Sequence, residues 1–133
     1  MLHSRMERVQ HLLRSEIGRI IDQDLRDPNL PPFITVHQVK VSKDLSQAVV
    51  AITFLQDQRE EVVRETVDEL NHCAPYIQRL MTRRVVLKRH PKLKFVYTSS
   101  TRNALELEHL FQRLKREEAP REGEEREPDA ESS

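Results

Sequence analysis

Residues 71–97 read NHCAPYIQRLMTRRVVLKRHPKLKFVY, and this stretch changes its period partway along. Proline at 75 cannot donate the helical backbone bond and pushes Ala74 away from helical geometry. It is well suited to be the first residue of a new helix. The sequence therefore predicts a helix kink, with a break, at Cys73, Ala74 and Pro75. A new helix should run from Pro75 to about Arg84, with Ile77, Leu80 and Met81 as its buried face. Further on, His90-Pro91 enforces an extended dipeptide. Leu93, Phe95 and Tyr97 then alternate with Lys92, Lys94 and Val96, the pattern of a half-buried strand with lysines on its outer face.

Upstream of this stretch, residues 5–26 place Met6, Val9, Leu13, Ile17 and Ile20 at three- and four-residue steps, which makes an amphipathic helix. It should stop before Asp27-Pro28. Residues 33–41 (FITVHQVKV) and 47–55 (QAVVAITFL) are rich in Val, Ile, Thr and Phe and read as strands. Ser42 to Ser46 fits a hairpin loop between them. The second strand is apolar on both faces and should be central in its sheet. His37 reads as a surface or packing residue, since no second ligand stands at metal spacing. A second helix should begin near Asp57, where Asp57 and Glu60 form a capping pair. Its apolar face is Val63, Val67 and Leu70. Downstream, Leu107, Leu110, Phe111 and Leu114 predict a C-terminal helix to about Arg116.

The resulting order, α-β-β-α-kink-α-β plus a C-terminal helix, predicts an α+β domain. It comprises a three-stranded mixed sheet packed with helices. That order is the one found in a type II KH domain. In ordinary KH domains a GXXG loop between the two adjacent helices clamps the nucleic-acid backbone. Here the junction holds no glycine, so phosphate contacts have to come from side chains, chiefly arginine. The KH-like domain should span residues 1–116 and a disordered acidic tail residues 117–133. Residues 115–133 carry four basic and eight acidic side chains, with almost nothing apolar.

Charge is sorted along the chain. The whole protein has 22 basic and 22 acidic side chains, yet the segment from Arg79 to Arg102 has eight basic residues and no acidic one. Sorted positive charge is an electrostatic footprint for phosphate; a solvated basic face is the plainer alternative. The candidate RNA-binding residues are Arg79, Arg83, Arg84, Lys88, Arg89, Lys92 and Lys94, with Arg5 and Arg8 of the first helix extending the surface. Two glycines, Gly18 and Gly123, exclude glycine-rich phosphate loops. Tryptophan is absent and aromatics are few, so a base-stacking platform is poorly supplied.

The single cysteine, Cys73, excludes an intramolecular disulfide and suits a reducing compartment. No signal peptide or membrane-length apolar run is evident, so a cytoplasmic protein is expected. His72 and Cys73 are sequence neighbours whose side chains diverge on a helix, which suits no nucleophile–base pair. Glu60, Glu61, Glu65, Asp68 and Glu69 read as one solvated helix face. Neither catalytic residues, a metal set nor a cofactor is expected. The alternative to an RNA binder is a protein-interaction module that uses the C-terminal helix or a sheet edge.

Several ordered matches resemble the ribosome-binding factor A family over about residues 5–112. They are RVQHLLRSEIGRII, Asp27-Pro28, ITVHQVKVSKDLSQAVVAITF and CAPYIQRLMTRRVVLKRHPKLKF. The family replaces the GXXG loop by a kink with an alanine and usually a glycine, followed by Tyr-Ile-Arg. Here Ala74 is kept, Pro75 stands where glycine is usual, and Gln78 where arginine is usual. Thr98 stands where aspartate is frequent. The resemblance implies a bacterial assembly factor that binds the immature 30S subunit near the 16S rRNA neck and decoding region; a monomer is the default expectation. It also implies a part in late rRNA processing and growth in the cold, with other assembly factors as further partners.

Overall fold

A computed structural model of the chain describes residues 4–25, 27, 28, 30, 31, 33–99, 108, 109, 112 and 113. The chain divides into two units, Met1–Ser100 and Thr101–Ser133. In the second, Glu108, His109, Gln112 and Arg113 are helical, and Gln112 Nε2 donates to Glu108 Oε2 at 2.9 Å. The remainder of the expected C-terminal helix, including Leu107, Leu110, Phe111 and Leu114, lies outside the described residues, as does the expected acidic tail.

Helix α1 spans Arg5–Arg19 and opens on a reciprocal capping box. The Glu7 N–H donates to Ser4 Oγ and the Ser4 N–H to Glu7 Oε1, both at 3.0 Å. Leu13 and Ile17 are buried, and Met6 and Val9 pack at the edge of the core. A π-helical turn, Ile20–Asp24, follows, closed by the Leu25 N–H donating to the Ile20 carbonyl at 2.8 Å. Its wider turn accompanies burial of two adjacent residues, Ile20 and Ile21.

Strands β1 (Ile34–Val41), β2 (Gln47–Phe54) and β3 (Lys92–Tyr97) form one sheet in the order β1-β2-β3. β1 pairs antiparallel and β3 parallel with β2, so the sheet is mixed and β2 is central, as its double-sided apolar pattern predicts. A bulge at His37 breaks the β1 register between Val36 and Gln38. The extra residue lets Val36 and Val39, three apart, both face the core, and it leaves His37 exposed. The hairpin loop carries Leu45 at φ 62°, in the left-handed region. Asp44 holds this turn. Its Oδ1 accepts from Ser46 Oγ at 2.7 Å, Ser42 Oγ at 2.8 Å and the Ser46 N–H at 3.0 Å.

The expected break at Cys73, Ala74 and Pro75 is corrected by the structure. One 25-residue helix, α2 (Glu60–Arg84), continues through Pro75 without interruption. Leu70, Ala74, Ile77 and Met81 recur at helical spacing on both sides of the proline and are all buried. Pro75 itself is exposed. Its ring meets solvent, and the missing N–H removes only the bond to the Asn71 carbonyl. Packing of both halves against the core outweighs the local preference. The expected capping pair is corrected too. The N-cap is Arg59, without a side-chain hydrogen bond, because the helix begins after Asp57.

α2 covers β3, and Asn71 fastens the two together. Its Nδ2 donates to the Phe95 carbonyl at 3.0 Å, and its Oδ1 accepts the Phe95 N–H at 2.8 Å. These two backbone groups belong to the edge of β3 that no strand pairs, so the amide stands in for a neighbouring strand. Phe95 is the largest fully buried side chain of the core.

Candidate nucleic-acid interface

Contacts at one end of the sheet gather most of the expected cations. The β1–β2 loop, the start of β3 and the 85–91 connection meet there. The Lys92 N–H donates to the Ser46 carbonyl at 3.0 Å, and Arg89 Nη1 reaches the Asp44 carbonyl at 3.5 Å. Gln78 Nε2 donates to the His90 carbonyl at 3.3 Å, which holds the connection beside the last turns of α2. The N-terminal half of α1 reaches the same end, where Gln10 Oε1 accepts the Val41 N–H at 2.9 Å. Arg5 and Arg8 therefore sit on the helix segment nearest the hairpin loop.

Arg5, Arg8, Arg79, Arg83, Arg84, Lys88, Arg89, Lys92 and Lys94 are all exposed. They are not equivalent. Arg84 Nη2 lies 2.6 Å from Asp24 Oδ2, so this guanidinium ties the end of α2 to the π turn. Lys94 lies opposite Val49 in the sheet register, one strand position away from Phe95. Side chains alternate along a strand, so Lys94 points to the face away from Phe95 and α2. Lys40 and Lys92 occupy that same face. Arg79 and Arg83 stand four residues apart on α2, neighbours on one helical stripe. Lys43, exposed in the hairpin loop, adds a cation beside Asp44 that the acid-free run does not include.

Asp44 is the acidic group of the hairpin loop, and its charge is already engaged. Hydrogen bonds from the Ser46 hydroxyl and backbone, then from Ser42, with a smaller contribution from the Arg89 charge, lower its carboxyl to about 2. Of the three departures from the family pattern, Gln78 at this end and Thr98 beyond the other end of β3 have structural partners. Gln78 makes the His90 contact described above, and Thr98 is buried with its N–H donating to the Ile52 carbonyl at 3.0 Å.

A second polar cluster joins Asp27, Glu69 and Cys73. Cys73 Sγ lies 3.8 Å from Asp27 Oδ2 and 3.7 Å from Glu69 Oε2. A hydrogen bond with Asp27, then burial and the Asp27 charge, raises the Glu69 carboxyl. Burial first, then the Glu69 and Asp27 charges, pushes the Cys73 thiol up to about 11. A nucleophilic or metal-binding cysteine needs its thiolate, and this environment opposes it. The cluster reads as a proton-sharing contact between the residues after the π turn and α2.

Among the described residues no helix is long and apolar enough to cross a membrane. The profile of the ribosome-binding factor A family matches residues 5–111. Ribosome-binding factor A of Shewanella sediminis is 36% identical over 111 residues, covering 84% of this chain and 76% of that one. The crystal structure of ribosome-binding factor A from Thermus thermophilus superposes with a TM-score of 0.58 at 26% identity, covering 71% of this chain and 97% of that one. A homology model of the Thermus thermophilus protein, fitted into a cryo-EM map of its complex with the 30S subunit, matches with a TM-score of 0.51 at 28% identity. That match covers 65% of this chain and 88% of the other. The α-β-β-α-β order, the mixed three-stranded sheet and these likenesses lead to one conclusion: the chain belongs to the ribosome-binding factor A family.

Proposed function

We propose that this protein binds the immature 30S subunit in the cytoplasm and grips 16S rRNA phosphates with the basic end of its sheet. There it aids late maturation and rRNA processing without catalysing a reaction. The observation that carries this reading is the exposed, acid-free cation set on the last turns of α2 and the connection into β3. Arg79, Arg83, Lys88, Arg89 and Lys92 hold the central contacts. Arg5, Arg8 and Lys43 extend them along the same end. Lys94 reaches a phosphate only where RNA wraps onto the outer sheet face, and Arg84 contributes chiefly through its pair with Asp24. Contacts of this kind position a protein on RNA by backbone shape more than by base sequence.

A second reading, a protein-interaction module, draws on the opposite end of the sheet. Phe33 is 62% and Leu55 70% exposed there, joined by the Leu55 N–H donating to the Phe33 carbonyl. Salt separates the two. The purified chain should co-sediment with immature 30S subunits at low salt and be released as salt rises, because each phosphate contact displaces counterions. Binding that persists unchanged into high salt would favour the apolar end.

A further inference from the structure

We infer that Tyr76 and Arg79 form a stacking site for one unpaired nucleobase of the bound RNA. This rests on the rRNA-binding reading above and deepens it. Tyr76, Arg79 and Arg83 fall on one stripe of the second half of α2, at i, i+3 and i+7. Tyr76 is 41% exposed, whereas its neighbours Ala74 and Ile77 are buried. The core therefore does not use it. Arg79 places its guanidinium carbon 5.8 Å from the ring centroid.

The other exposed aromatic rings among the described residues are differently placed. Tyr97 leans on Phe54, with ring centroids 5.8 Å apart. Phe33 precedes β1, at the opposite end of that strand from the hairpin loop. Tyr76 thus supplies the aromatic face that stands among the arginines.

The guanidinium lies over one face of the ring, so a nucleobase stacks on the tyrosine as the flat cation swings aside onto the base, a contact that is sequence-tolerant because every base has a π face. Arg83, one turn further along, is then in reach of the adjoining phosphate. A base inside a double helix cannot enter such a site, since both its faces are already stacked. The site selects an unpaired nucleotide where the phosphate contacts alone do not.

The test uses the full chain and a mixed-sequence oligoribonucleotide, offered single-stranded and as a duplex. Tyr76→Leu should weaken single-strand binding about tenfold. It should leave duplex binding and the salt dependence unchanged, and Tyr76→Phe should bind as the parent does. The chain has no tryptophan, so Tyr76→Trp introduces the only indole. Its fluorescence should be quenched by the single strand and not by the duplex. Unchanged affinity of Tyr76→Leu together with an unquenched indole, in a protein whose binding still falls with salt, would overturn the stacking site and leave the phosphate reading intact. No binding of the parent chain to either RNA at low salt would overturn both.

Discussion

Neutralising Arg79, Arg83 and Lys88 together, as Arg79→Gln, Arg83→Gln and Lys88→Gln, is expected to lower affinity for immature 30S subunits by a few hundredfold, on the order of 100–500, near 0.1 M salt. The magnitude follows from counterion release. Each phosphate contact contributes a slope of about −0.7 to −0.9 in log affinity against log salt, which at 0.1 M, relative to 1 M, is roughly five- to eightfold per contact. The effect should be uniform across rRNA segments, because phosphate contacts carry no base information. The three residues are chosen because they are exposed at the basic end and, among the described residues, none is paired with a carboxylate. Arg84 is left out, since losing it would also unfasten Asp24 at 2.6 Å. Arg64→Gln, on an exposed position of the first half of α2, is the matched control and should bind as the parent does. Quantitative sedimentation or filter binding reads the result. Circular dichroism confirms that the triple variant is folded. A loss below about threefold would remove these side chains from the interface.

Phe95→Ala is expected to destabilise the fold by about 3–5 kcal/mol, the range for emptying a fully buried aromatic site. Phe95 is 0% exposed and lies under α2. Its backbone is held on the far side by both atoms of the Asn71 amide. The site cannot collapse easily, because β2 on one edge and Asn71 on the other fix the strand. In a small domain such a loss approaches the whole stability. Phe95→Leu keeps most of the volume and gives a graded second point, with a cost of about 1–2 kcal/mol. Urea unfolding followed by circular dichroism measures both. The midpoint should fall while the slope stays constant. A cost below about 1 kcal/mol for the alanine variant would mean that the core is not organised around this residue.

The sheet was legible in the sequence because its signals are local. Residues 47–55 are apolar on both faces, and β2 is central. Leu93, Phe95 and Tyr97 alternate with lysines, and β3 is a half-covered edge strand. Those elements, in that order, are enough to lead to the family.

The misreadings come from places where distant packing decides. Pro75 carries a strong local break signal, and nothing nearby shows that Leu70, Ala74, Ile77 and Met81 share one buried stripe. The spacing of Val36 and Val39 held a usable sign of the bulge, since two inward residues three apart cannot both fit strict alternation. Ser4 and Glu7 spell the S-x-x-E capping signature outright, whereas Asp57 and Glu60 have the right spacing but lie ahead of the first turn. The cation run was legible as a run. Its partition was not. Arg84 is diverted by Asp24, which lies 60 residues away in sequence. Lys43 joins from another loop. Tyr76 was counted only as one of few aromatics; its exposure and the Arg79 guanidinium over its ring are seen only in the folded chain.

The most direct test is to ask which end of the sheet faces rRNA. Val86 is 99% exposed between the end of α2 and Lys88, and Leu55 is 70% exposed at the apolar end. In a Cys73→Ser background, Val86→Cys and Leu55→Cys each accept an iron chelate that releases hydroxyl radicals onto nearby RNA. Bound to immature 30S subunits, the chelate at position 86 should cut 16S rRNA strongly and the one at position 55 weakly or not at all. Cutting from position 55 with none from position 86 would place the apolar end against the RNA and contradict the account.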